Sequence, residues 1–201
     1  RCLVGSEMCI RDRSTSWNRT NVYRFFGFEA QYYQDDFAAD ASRVRDYISD
    51  SASYKKIFEL YENKRENTPL FVFNVTMQNH GGYDTGLVPP ADAVHLDSAE
   101  VENPEVDEFL AAIKRSDEDL RWLIEELNAR DEPTIVVFFG DHQPNLPEDF
   151  YNTLLESQRG DLSDAELRQK KMVTPFFIWA NYDIKEQTNM QISANYLSAY
   201  A

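Results

Sequence analysis

The sequence predicts an α/β fold built on a mostly parallel sheet with helices on both faces, and three observations lead to it. Three short runs, residues 70–77 (LFVFNVTM), 134–139 (TIVVFF) and 175–180 (PFFIWA), are apolar and rich in β-branched or aromatic side chains. They read as buried strands. Helical periodicity fills the intervals between them, and strands joined by long helical crossovers pair in parallel.

The clearest helix is predicted over residues 104–130. Phe109, Leu110, Ile113, Leu120, Leu123, Ile124 and Leu127 recur at helical spacing, which directs one face onto a sheet. Pro104 suits a first turn, and Glu105, Asp107 and Glu108 suit the positive end of the dipole. Asp117, Glu118, Glu125 and Glu126 then read as a solvated outer face rather than a metal cluster. A second helix is predicted over 53–66 with Ile57, Leu60 and Tyr61 inward, stopping before Thr68-Pro69 restarts an extended chain. Shorter helices are expected over 147–158 and 163–172. Residues 192–201 read as a helix begun on an apolar face without a closing cap, so the domain is expected to be incomplete at both ends.

The chain has 201 residues, enough for a buried core, and its 42% hydrophobic content is too high for a disordered tail. A formal charge of -15 repels polyanions at long range and argues against a nucleic-acid partner. A phosphate ligand is still allowed where a local Arg, His or metal ion reverses the potential. The apolar runs are far short of the ~20 residues that span a bilayer as a helix, so any export or anchoring information is expected to lie outside this chain.

Both cysteines, Cys2 and Cys9, fall in the opening RCLVGSEMCIRDR, which lacks periodicity and turn logic. That stretch resembles translated adaptor sequence. Residues 1–13 are therefore expected to be non-native, leaving 14–201 as part of one domain.

Chemistry concentrates after the strands. His80 closes Thr76-Met77-Gln78-Asn79-His80 after the first run, and His142 closes Gly140-Asp141-His142 after the second. Ligands in open α/β sheets bind at the carboxyl ends of strands. Either histidine taken singly reads equally well as a loop residue bonded to backbone. Gly81-Gly82 and Gly140 add the freedom for a sharp turn or a close approach. Asp141 and His142 offer one oxygen and one imidazole nitrogen, a pair suited to Zn²⁺, Mn²⁺ or Fe²⁺ that needs further ligands to complete a site. His95, in a Pro- and Asp-rich loop, reads as surface. In Ser16-Trp17-Asn18-Arg19 an extended chain would point Trp17 and Arg19 to one side, placing a guanidinium fork beside an aromatic platform; Arg19 could equally pair with a surface acid. Asn74-Val75-Thr76 matches the glycosylation sequon inside a strand and reads as chance.

SWNR, TMQNH, FFGDHQP and TPFFIWANYDI, in that order over residues 14–201, resemble the sulfatase-type extracellular domain of lipoteichoic acid synthases and phosphoglycerol transferases, in the alkaline phosphatase superfamily. The resemblance implies an alkaline-phosphatase-like sheet and a divalent metal, commonly Mn²⁺ with Zn²⁺ or Mg²⁺ as substitutes, held in part by Asp141 and His142. It implies substrate contacts from Trp17, Arg19 and His80. The family's remaining metal-binding Glu and its nucleophilic Thr belong to segments upstream of SWNR, so no catalytic nucleophile is assigned here, and Thr15, Thr20 and Thr76 do not fill the role. The implied activity moves a phosphoglycerol-type group from a phospholipid head group to a glycerophosphate polymer on the outer face of a bacterial plasma membrane. The 201-residue piece itself is expected to be inactive. Two other readings stay open: a sulfatase or phosphodiesterase with water as acceptor, and a non-catalytic module that holds anionic polymer. A calcineurin-like phosphoesterase fits poorly, because its GDxH and GNH motifs do not occur.

Overall fold

The computed structural model describes residues 6–10, 18–88, 92–96, 103–156 and 162–201. The chain divides into two compact units, one running through Leu123 and the other beginning at Ile124, with one long helix continuing across the boundary.

In the first unit, β1 (Ser6–Ile10) lies between β2 (Ala30–Tyr32) and β5 (Phe71–Val75), parallel to both. The central strand of this sheet thus comes from within residues 1–13. Between β2 and β5 the chain forms a small antiparallel hairpin, β3 (Arg43–Val44) and β4 (Tyr47–Ile48), and then helix α2 (Asp50–Asn63). A four-residue helix, α1 (Arg19–Val22), precedes β2.

The strand period of two sorts β5 into two faces. Phe71 and Phe73 both meet Phe28, with ring centroids 6.2 and 6.5 Å apart. Asn74, on the other face, accepts a 2.6 Å hydrogen bond from the Ser53 hydroxyl of α2. The sequon asparagine is therefore engaged inside the unit.

Helix α2 starts three residues earlier than the apolar pattern suggests, because Ser49 caps it: the hydroxyl accepts the Ala52 N–H at 3.1 Å. Its buried residues are Asp50, Ala52, Ser53, Tyr54 and Phe58, while Ile57, Leu60 and Tyr61 are half-buried. Phe58 meets Trp122 of α3 edge to face at 5.5 Å, so the inward face is set by the neighbouring helix as well as by the sheet.

Helix α3 runs Pro104–Asn128, close to its predicted span. Val106, Ala111, Ala112, Leu123 and Leu127 are buried, whereas Ile113, expected inward, is 41% exposed. The buried stripe is shifted by polar residues: Glu108 and Asp119 lie on it. Asp117, Glu118 and Glu125 face solvent as predicted, and the half-buried Glu126 pairs with Arg130 at 3.3 Å.

The second unit holds β6 (Ile135–Phe139), α4 (Glu148–Glu156), α5 (Asp164–Lys170), β7 (Phe176–Ala180) and α6 (Ala194–Tyr200). β6 and β7 pair antiparallel, Val137 opposite Ile178, with Phe138 and Phe177 stacked at 5.1 Å. All three predicted apolar runs are strands, but they are half-buried rather than fully enclosed, since sheets of two and three strands leave edges and faces open. Asn181 fastens the end of β7 to the turn after α3. Its Oδ1 accepts the Thr134 N–H at 2.8 Å, and its Nδ2 donates to the carbonyls of Arg130 and Glu132 at 3.1 and 2.9 Å.

Candidate active site

The loop after β5 carries His80 and is tied down on every side. Gln78 is fully buried; its Oε1 accepts the Asp50 N–H at 2.8 Å and its Nε2 donates to Ser116 Oγ at 3.0 Å. Asn79 Nδ2 donates to the same hydroxyl at 2.8 Å. The Tyr83 hydroxyl donates to the Asn79 carbonyl at 2.8 Å, while its ring packs edge to face on Phe109. Gly82 has φ +85°, a left-handed conformation that a β-carbon disfavours; Gly81 meets neither that demand nor a close neighbour. His80 is half-buried, with Nδ1 3.4 Å from the Tyr47 hydroxyl of β4.

Beneath the loop lies Arg45, whose side chain is 1% exposed. Its Nη1 donates to the Gly82 carbonyl at 2.8 Å, and its Nη2 donates to the carbonyls of Gln78 and His80 at 2.8 and 2.7 Å. The charge is balanced by Glu108 Oε1 at 3.3 Å and flanked by the rings of Tyr47 and Tyr83 at 5.4 and 5.2 Å. Glu108 also accepts the N–H groups of Thr85 and Gly86 at 3.1 and 3.2 Å, and the Thr85 hydroxyl at 2.6 Å. Arg45 itself sits at φ 54°, which costs a non-glycine residue about 1–2 kcal/mol and persists only where surrounding contacts enforce it. Neither Arg45 nor this use of Glu108 was foreseen from sequence. One signal was present: Glu108, Ala112, Asp119 and Leu123 share a helical stripe, and an acid on a buried stripe calls for a cation.

Upstream, Arg19 is buried and opens α1, and Asn18 before it is left-handed at φ 56°. The chain is therefore not extended at this point. A short polar side chain tolerates that conformation and bonds locally, here from Asn21 Nδ2 to Asn18 Oδ1 at 2.6 Å. Trp17 lies outside the described residues. Near Arg19, burial pushes the Tyr33 hydroxyl above the ordinary tyrosine range, with Tyr23 adding to the shift and the Arg19 charge opposing it. His95 is 72% exposed and meets Asp107 of α3 at 2.6 Å, as a surface residue should.

In the second unit, Asp141 and His142 follow β6 directly. A β-carbon at Gly140 would lie 3.1 Å from Thr174 Cβ, a tight contact to which Thr174 would have to yield. Gly140 N–H donates to the Pro175 carbonyl at 3.0 Å and accepts, through its own carbonyl, the Thr174 hydroxyl at 2.8 Å. Beyond the pair, Gln143 Nε2 donates to the Val173 carbonyl and the Tyr151 hydroxyl to that of Pro144. Burial pushes that tyrosine hydroxyl up as well.

His142 Nδ1 lies 2.8 Å from the Gln143 carbonyl, which can only accept, so Nδ1 carries a proton and Nε2 is the nitrogen left to face a metal. Nε2 stands 3.6 Å from Asp141 Oδ2, and the two side chains are 69% and 80% exposed. An imidazole nitrogen and a carboxylate oxygen this close, both open to solvent, fit as two ligands of a divalent metal. Among the described residues no group of three or more such donors gathers.

A family profile for sulfatases matches residues 8–200. The chain belongs to the sulfatase family. Over 188 residues it is 28% identical to a Rhizobium meliloti protein named for cyclic beta-1,2-glucan modification, covering 90% of this chain and 28% of that protein. It is 33% identical over 132 residues to the capsular polysaccharide biosynthesis protein RkpI of Rhizobium meliloti, covering 66% of this chain and 22% of the relative. It is 25% identical over 140 residues to the lipoteichoic acid synthase of Staphylococcus saprophyticus, covering 65% and 20%. This sulfatase-family chain thus spans under a third of the curated relatives it matches.

Solved structures show the same fold. The Streptococcus pyogenes phosphoglycerol transferase GacH, in complex with sn-glycerol-1-phosphate, superposes at a TM-score of 0.68 with 23% identity, covering 92% of this chain and 45% of that one. The lipoteichoic acid synthase LtaP of Listeria monocytogenes gives 0.63 with 22% identity, covering 87% and 42%. The C-terminal periplasmic domain of Escherichia coli EptC, solved with Zn, gives 0.51 with 19% identity, covering 87% and 48%. The alkaline-phosphatase-like α/β fold expected from the motifs is therefore the fold of this chain.

Proposed function

We propose that this chain is part of an extracytoplasmic phosphotransferase that moves a phosphoglycerol-type group from a phospholipid to a cell-envelope polymer. The observation that carries the reading is the orientation of His142: its proton is held by the Gln143 carbonyl, leaving Nε2 beside the Asp141 carboxylate to bind a metal. Family membership and the fold shared with GacH and LtaP support it.

Mn²⁺, with Zn²⁺ or Mg²⁺ as substitutes, would be held in part by Asp141 and His142 and would act as a Lewis acid toward phosphoryl oxygens. His80 presents an imidazole from a loop fixed by Gln78, Arg45 and Tyr83, a group that can donate to a phosphoryl oxygen without reorganising. Trp17 and Arg19, like His80, are substrate contacts in this reading. The nucleophilic Thr and the other metal ligand come from protein sequence preceding Ser16, and membrane attachment from segments outside the chain. Among the described residues no helix is long and apolar enough to cross a membrane. Residues 1–13 are proposed to be non-native and 14–201 to belong to the catalytic domain; sequencing source DNA across codon 14 checks both.

The test uses the full-length protein in vesicles containing phosphatidylglycerol, with Mn²⁺ and a glycerophosphate polymer. Transfer releases diacylglycerol and lengthens the polymer, and His142→Ala or His80→Ala abolishes both. Free glycerophosphate without polymer growth identifies a hydrolase. Polymer binding with no diacylglycerol released identifies a binding module.

A further inference from the structure

Arg45 and Glu108 divide the His80 loop between them by polarity. The cation collects carbonyl oxygens, those of Gln78, His80 and Gly82. The anion collects donors, the N–H groups of Thr85 and Gly86 and the Thr85 hydroxyl. The ion pair between them, almost wholly buried, locks the two halves of the loop together. Arg45 comes from a two-residue turn that also delivers Tyr47, whose hydroxyl faces His80 Nδ1. A left-handed Arg45 is a costly way to build a surface hairpin and a direct way to send a guanidinium under the loop.

We propose that Arg45 and Glu108 are the positioning pair that fixes where His80 points, and that glycerophosphate affinity at this site depends on their ion pair. Neither residue touches the ligand in this arrangement; both act through His80. The inference rests on the reading that His80 contacts the phosphoryl group. A short lysine ammonium cannot reproduce the planar fork that reaches three carbonyls, so Arg45→Lys keeps the charge and removes the geometry.

The experiment follows the imidazole ¹⁵N and ¹H signals of the 201-residue chain and its affinity for sn-glycerol-1-phosphate. Arg45→Lys and Glu108→Gln are each expected to shift the His80 signals while leaving those of His142 in place. Arg43→Lys, in the same hairpin, is expected to leave both in place. Ligand affinity should fall by about tenfold in each positioning variant, and by less than about twofold when the same change is added to His80→Ala, since residues acting through one another are not additive. Unmoved His80 signals in both variants, or losses that add in full with His80→Ala, overturn the positioning role. If His80→Ala alone leaves affinity unchanged, the phosphoryl-contact reading fails, and the His80 signals still decide whether the pair positions the ring.

Discussion

Gln78 accepts the backbone N–H of Asp50 through Oε1 at 2.8 Å, so the loop that carries His80 also satisfies a donor in the first turn of α2. The first N–H groups of a helix have no partner inside it, and a buried one left unsatisfied costs about 1–3 kcal/mol. Gln78→Leu keeps the volume and removes the acceptor, and it also strips Ser116 of a donor. The expected loss is about 2–3 kcal/mol in urea unfolding. A loss below about 0.5 kcal/mol would place Gln78 among replaceable packing residues.

In the proposed site Asp141 and His142 would supply two ligands, and two are too few for tight binding by the isolated chain. Added Mn²⁺ should broaden the NMR signals of these two residues selectively, without saturating in a calorimetric titration. Asp141→Asn or His142→Ala should remove the broadening. Tight stoichiometric uptake by the 201-residue chain would contradict the two-ligand assignment.

Asn181 closes the second unit by answering both a donor and acceptors. Replacing it with Ala leaves the Thr134 N–H and the carbonyls of Arg130 and Glu132 without its amide, at a cost of about 2 kcal/mol. Hydrogen exchange at Ile135 and Ala180, paired at that end of the β6–β7 ladder, should accelerate first. Equal acceleration at Phe139 and Phe176, the other end of the ladder, would refute a local role.

Strands β5, β6 and β7 were legible because apolar β-branched and aromatic runs leave little other choice, and α3 because its period persists over many turns; strands β1 to β4 were not. The start of α2 was hidden, since Ser49 caps through a side chain and carries no apolar period. His80, Asp141 and His142 were legible as candidates by standing just past strands. Arg45 was not, because its contacts are to backbone carbonyls more than thirty positions away, which leave no trace in local pattern. Ile113 misled because helical spacing gives a stripe without saying which neighbours will cover it.

Helix α5 is closed at its start by a reciprocal capping box. The Ser163 N–H and hydroxyl both donate to Glu166 Oε2, at 2.7 and 2.6 Å, and the Glu166 N–H returns a bond to the hydroxyl. These bonds to Ser163 hold the Glu166 carboxyl below its ordinary value, with Lys170 assisting and slight desolvation opposing. A carboxyl lowered in the folded state favours folding fully above its unfolded value, and that contribution is lost as pH falls through the lowered one. The first turn of α5 should therefore fray on acidification past that point, visible as loss of the Ser163 amide shift together with Glu166 titration. Ser163→Ala should raise the Glu166 carboxyl part of the way toward the ordinary glutamate range, because the backbone N–H bond and Lys170 remain, and a Glu166 that titrates in that range already in the unaltered chain would show that the box does not form in solution.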